Sequence, residues 1–125
     1  MTQAVAAHEC RMETKLKGAV RIVHVSGRLD WLTARMFRDR MRDDWTDALL
    51  IVDMSGVSGV DSAGTGVVLA AAGRARHRGQ ELVIVTVDPV LMELLSALGP
   101  SVAVAHSQAQ AWRLLCRARG RHATS

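Results

Sequence analysis

The chain predicts a single α/β domain, a mixed and mostly parallel sheet of about five strands with about four helices, in the order β-β-α-β-α-β-α-β-α. Three observations carry that prediction. "ALLIVDM" (48–54) and "ELVIVTV" (81–87) are continuous apolar runs, the pattern of strands buried on both faces. Between them, Val68, Ala71, Ala72 and Ala75 recur at i, i+3, i+4, i+7 spacing, so a helix with a face of small residues can lie close to the sheet. After an initial hairpin, strand-like and helix-like segments alternate, as parallel strands joined by crossovers require.

The elements follow in order. Met12 to Lys17 and Ala19 to Val25 read as two strands around a tight turn at Lys17-Gly18. "VRIVHV" is apolar on both faces, and His24 within it reads as a strand histidine because no second ligand stands at a metal spacing. Thr33 is a candidate N-cap for the first helix, with Leu32 and Phe37 placed to form a hydrophobic staple. Phe37, Met41 and Trp45 make its core stripe; Arg35, Arg38 and Arg42 interleave with Asp39, Asp43 and Asp44 on a wet face. After Met54 a loop holding Ser55, Ser58 and Ser62 hands the chain to the alanine-rich helix.

Further on, Asp88 caps a helix with Pro89 in its first position, Leu91, Leu94, Leu95 and Leu98 form the apolar stripe, and Gly99-Pro100 stops it. "SVAVA" (101–105) is the last strand, and Ser107 caps a final helix carrying Ala111, Leu114, Leu115 and Ala118. The domain spans residues 1–125, with an ordered core over about 12–118 and loose ends at 1–11 and 119–125.

Composition narrows the function classes. The chain is 49% hydrophobic and 22% charged, as in an ordinary globular protein, and long enough to bury a core without staples. With three Trp, one Phe and no Tyr, that core is built from Val, Leu, Ile, Ala and Met. No apolar run approaches the ~20 residues that cross a bilayer, and the start lacks the apolar segment of about 7–15 residues of a signal peptide, so a cytoplasmic location away from membranes is expected. Cys10 and Cys116 are far apart and read as idle thiols, neither a disulfide framework nor a zinc spacing. The net charge of +4 lies largely in Arg74 to Arg78 and in the tail from Arg113 to His122. No helix-turn-helix, zinc finger or aromatic platform accompanies it, so a solvated basic face is favoured over nucleic-acid binding.

The chemistry concentrates at "VDSAGTG" (60–66). A Walker cradle needs Lys after its glycine, and Gly66 is followed by Val67 and Val68; the dinucleotide pattern fails because Leu69 stands at the third glycine. A nucleophile elbow is absent, since residues 60–64 read Val-Asp-Ser-Ala-Gly and 56–60 read Gly-Val-Ser-Gly-Val. Catalysis and a bound cofactor or metal are therefore not expected. A helix cap from Asp61 or Ser62 is expected, yet it does not account for Gly64 and Gly66, which cost roughly 1 kcal/mol each against Ala inside a helix. Their expected benefit is a bare backbone that another molecule approaches closely. A modified Ser62 remains: a phosphate there puts about −1.5 to −2 charge at the positive helix end, which the folded domain tolerates.

At these residues the chain resembles the STAS domain family, in particular bacterial anti-sigma factor antagonists. The resemblance runs from about Met12 to Ala118. It rests on Asp61-Ser62-Ala63-Gly64-Thr65-Gly66 after "LLIVDMSGVSGV", on Gly27, Leu29, Asp30 and Thr33 in a Gly-x-Leu-Asp-x-x-Thr pattern, and on the helix "DPVLMELLSALG". It implies partner switching. Ser62 would be phosphorylated by an anti-sigma factor that is itself a serine kinase; the unphosphorylated chain would bind that kinase and free the sigma factor; a metal-dependent serine phosphatase would reset it. Asp30 falls near the family's kinase-binding surface and Asp61 on the motif acid. The partner-binding surface is expected to comprise Asp30, Trp31, Ser58, Asp61, Ser62, Gly64 and Thr65.

The chain departs from the family pattern at Ala63, usually Ser or Thr, at Gly59, often bulky, and at Trp31 beside Asp30. Trp31 reads either as an interface anchor or as packing under the first helix. STAS domains also serve in anion transporters, stressosome scaffolds and lipid-transport complexes. An unphosphorylated subunit of a lipid-transport or other ATPase assembly is the alternative reading.

Overall fold

A computed structural model of the chain describes residues 10–41 and 47–124, with side chains to residue 117. Its elements are β1 (Cys10–Lys17), β2 (Val20–Leu29), α1 (Ala34–Met41), β3 (Leu49–Val60), α2 (Ser62–His77), β4 (Glu81–Val85), α3 (Pro89–Ser96), β5 (Val102–Ala105) and α4 (Gln108–Thr124). The expected order is the observed one.

The five strands lie side by side in chain order, β1 antiparallel to β2 and the remaining pairs parallel. That order explains the layering. The three parallel crossovers all step in the same direction along the sheet, and right-handed connections then place α1, α2 and α3 on one face. Phe37, Met41, Val68, Ala72, Leu91 and Leu95 are accordingly buried there with Val23, Val25, Val52 and Ile84. α4 covers the other face, where Ala111 and Leu115 pack on Ile22, Ile51, Val83 and Ala105. The central strand begins with six consecutive buried residues, Leu49 to Met54.

Several local expectations need correction. The stretch 55–60, expected as a loop, continues β3 beyond the end of β4, which pairs only as far as Asp53 with Val85. Its ladder is with β2, which itself runs on through Gly27 to Leu29, and the two irregularities in that ladder take up the bends of a Gly- and Ser-rich strand. Gly27 has φ 89°, open to glycine and costly for other residues. Thr33 precedes α1 as expected, but its hydroxyl works backwards: it donates to Arg28 O at 2.7 Å and accepts from Asp30 N at 3.0 Å. Leu32 is 54% exposed and so forms no staple over Phe37. Leu94 leaves the apolar stripe of α3 and is 41% exposed.

β4 ends at Val85, before Thr86 and Val87. The last helix is assigned over Gln108–Thr124. Trp45 and the charges at Arg42, Asp43 and Asp44 lie outside the described residues. The caps of α3 and α4 are as read: Asp88 accepts from Leu91 N at 3.0 Å, and Ser107 accepts from Gln110 N at 3.2 Å.

Candidate functional site

The C-terminal ends of β2 and β3 leave the sheet together, because neighbouring parallel strands point the same way. Their exits, the turn 30–33 and the start of α2, bring the two sequence motifs into contact. Asp61 is the N-cap of α2 and accepts from Gly64 N through Oδ1 at 2.9 Å. Its other oxygen, Oδ2, accepts from Trp31 N at 3.0 Å. Asp61 N donates to Leu29 O at 3.3 Å, and Thr65 N donates to Asp61 O at 2.8 Å. Ser62 is thus the first residue of α2 and is exposed. The Ser62 and Ala63 N–H groups lie in the helix's first turn, where no intrahelical partner exists.

Trp31 is 72% exposed at the tip of the turn, which decides between its two readings in favour of a surface indole. Asp30 beneath it is only 6% exposed. Its carboxylate accepts from Leu32 N at 3.0 Å and Thr33 N at 3.3 Å, with Arg28 Nε at 3.4 Å. Burial alone would raise the Asp30 pKa; these donors and the Thr33 hydroxyl outweigh it and hold the carboxyl below the usual carboxylate range. Asp30 therefore builds the turn from inside instead of presenting a charge on the surface. The pKa of the buried Cys10 thiol is pushed up, first by burial and then by the Asp30 charge.

Gly64 has the same internal role. A Cβ on it would overlap the Leu29 carbonyl oxygen and stand 2.9 Å from the carbonyl carbon. The molecule that closely approaches this bare backbone is the chain itself. Gly66 differs: it is exposed, and a Cβ there would meet nothing within 4 Å. Thr65 is half-buried, and Ser58 is exposed in β3, its Oγ donating to Gly27 O at 3.3 Å.

Ser58 also lines a groove of about 330 Å³, between the overhanging end of β3 and the segment 85–88, with Thr86, Val87, Asp88 and His106 on its far side. Sequence reasoning missed this groove and the exposed Val87 (74%), Val90 (58%) and Leu32 (54%). The one available signal was Val87, which stands beside the Asp88-Pro89 cap and cannot belong deep within a strand. Among the described residues no cluster of His, Cys, Asp or Glu could hold a metal ion, and no helix is long and apolar enough to cross a membrane.

Comparison with known proteins bears on this architecture. No curated protein matches the chain. Among solved structures, an anti-sigma factor antagonist from Mycobacterium paratuberculosis superposes with a TM-score of 0.67 at 20% identity, over 86% of this chain and 95% of that one. The Bacillus cell fate determinant SpoIIAA in its phosphorylated form gives 0.62 at 19% identity, over 85% and 99%. A murine anion transporter of the solute carrier class gives 0.58 at 18% identity, covering 77% of this chain but only 19% of the transporter. At such identities the likeness is one of fold, shared by proteins of different work. The sequence model described as "Mlab, STAS domain" matches residues 12–102, which include both motifs and the turn that Asp61 ties to α2, and on that match the chain belongs to the STAS domain family.

Proposed function

We propose that the chain is an anti-sigma factor antagonist that works by partner switching in the cytoplasm, without catalysis or cofactor of its own. Unphosphorylated, it binds an anti-sigma factor that is a serine kinase and so releases the sigma factor. Phosphorylation of Ser62 breaks the complex, and a serine phosphatase restores it. The observation that carries this reading is the exposed Ser62 on the first residue of α2, next to the Asp61 whose carboxylate holds the backbone N–H of the exposed Trp31. The likeness in fold to antagonists described in phosphorylated and unphosphorylated forms supports it.

The energetics favour a switch that leaves the fold intact. A phosphate on the first helical residue meets the positive end of the helix dipole, worth about 0.3–1 kcal/mol in its favour. A carboxylate of a docked partner some 6 Å away would feel roughly 3 kcal/mol of repulsion per unit charge pair at an effective dielectric near 20. With about −1.5 to −2 charge the loss is ~5 kcal/mol, some 10³-fold in affinity. Titration calorimetry against the serine kinase tests this. Ser62→Asp should weaken the complex and Ser62→Ala should keep it; both variants binding like wild type would remove Ser62 from the switch.

A second reading is favoured by one finding, the matched family description, which reads "Mlab, STAS domain". Here the chain is an unphosphorylated subunit of a lipid-transport or other ATPase assembly. It predicts that affinity capture recovers an ATPase complex, and that intact mass gains no phosphate with ATP and the anti-sigma kinase.

A further inference from the structure

We infer that Asp61 is a positioning residue that clasps the Trp31 turn to the head of α2, so that the indole and the Ser62 hydroxyl form one rigid recognition face. The identity of the partner that reads this face rests on the partner-switching proposal; the clasp itself does not.

The turn 30–33 satisfies most of its own polar groups. Asp30 N donates to the Thr33 hydroxyl, and the Leu32 and Thr33 N–H groups donate to the Asp30 carboxylate. The Trp31 N–H leaves the turn and donates to Asp61 Oδ2, thirty residues away in sequence. The same carboxylate caps Gly64 N through Oδ1. One side chain therefore fixes both the tip that carries a 72% exposed indole and the helix whose first residue is Ser62. An exposed tryptophan on a turn anchors a partner more strongly when the backbone that carries it is set in advance, because ordering it on binding subtracts from affinity.

The base of the arrangement does not depend on the clasp. Leu29 O still accepts from Asp61 N, and Gly64 still lies against Leu29. Opening the clasp should free the Trp31 tip and leave the rest in place.

Asp61→Asn separates the two jobs of the carboxylate. Asn caps helices as well as Asp, so its single oxygen keeps the bond from Gly64 N. Its amide nitrogen then confronts the Trp31 N–H, donor against donor, and that bond is lost. Loss of a hydrogen bond to a charged group corresponds to roughly tenfold or more in an equilibrium constant.

The test uses the full chain in two arms. In the first, amide hydrogen exchange by NMR compares wild type with Asp61→Asn. Exchange at Trp31 should rise about tenfold while Gly64 is unchanged; unchanged exchange at both amides overturns the clasp. In the second arm, affinity for a purified anti-sigma serine kinase from the same genome is measured for wild type, Asp61→Asn, Trp31→Ala and the double variant. Asp61→Asn should bind about tenfold more weakly, and the double variant no more weakly than Trp31→Ala alone. Fully additive losses, or no loss in Asp61→Asn, overturn the positioning role. Should wild type bind no such kinase, the partner-switching proposal falls, and the exchange arm still decides the clasp.

Discussion

Two glycines near the start of one helix should respond to alanine with opposite signs. At Gly64 the added methyl overlaps the Leu29 carbonyl oxygen and comes to 2.9 Å from its carbon and 3.1 Å from Leu29 Cγ. Two of these obstacles are backbone, so α2 and the end of β2 must separate. Overpacking of this kind costs about 1–3 kcal/mol. Separation also stretches the 3.3 Å bond from Asp61 N to Leu29 O, worth about 0.5–1.5 kcal/mol. Against this stands the gain of about 1 kcal/mol from replacing glycine by alanine in a helix. Gly64→Ala should therefore be destabilised by roughly 1–3 kcal/mol. At Gly66 the methyl meets nothing within 4 Å, and only the helix gain remains, so Gly66→Ala should be stabilised by up to about 1 kcal/mol. Urea denaturation of both variants, with midpoints compared at unchanged slope, measures the contrast. If Gly64→Ala is as stable as Gly66→Ala, the close approach of α2 to Leu29 is not a constraint, and the packing argument for this corner fails.

Thr33→Val removes the hydroxyl that bridges Arg28 O and Asp30 N inside the turn, and should cost about 1–3 kcal/mol in urea denaturation; Thr33→Ser should recover most of it, and an unaltered Thr33→Val would refute the bridge. Asp53, on the face covered by α4, has its carboxylate held by Gln108 Nε2 at 2.7 Å and Ser55 N at 2.9 Å, with His24 Nδ1 3.6 Å away. Burial would raise its pKa, but the Gln108, Ser55 and His24 interactions prevail and lower it. A depressed folded-state pKa stabilises the fold above the unfolded value, about 3.9, and that stabilisation is lost as pH falls through the lower folded value. Thermal melts should thus show the advantage of wild type over Asp53→Asn constant near neutrality and shrinking below about pH 4; a gap that persists in acid would refute the ionic contribution.

Elements whose signals are local were legible in the sequence. Asp88 with Pro89 marks the start of α3 because the side-chain acceptor and the missing N–H act within one turn. The long apolar strands needed only their own composition. Residues 55–60 were not legible: serine and glycine suit a loop, and they extend because β2 offers a ladder that no local property of "SGVSG" announces. Thr33 was placed correctly and given the wrong partner, since its choice between the helix ahead and Arg28 O behind depends on how the turn folds back. At the site, Ser62 and Asp61 could be read as head and cap of a helix. Gly64 could not be read as a contact with Leu29, because that neighbour is distant in sequence.

The same topology explains why two short motifs, thirty residues apart, can act as one. β2 and β3 are adjacent and parallel, so whatever follows each of them emerges at the same end of the sheet. A slip of one residue in their register would carry Leu29 O away from Asp61 N and Trp31 N away from the Asp61 carboxylate. The buried residues of β2 and β3 lock that register, Val23, Val25, Leu50 and Val52 on one face and Val20, Ile22, Leu49 and Ile51 on the other. The exposed surface is thus specified by the core beneath it. Ser62 is exposed, and the bonds that set this geometry are made by Asp61 and not by Ser62, so a charge added at Ser62 would alter what the surface repels and spare the packing that shapes it. A serine two residues further on would occupy the contact made by Gly64 and could not carry a phosphate with the fold intact.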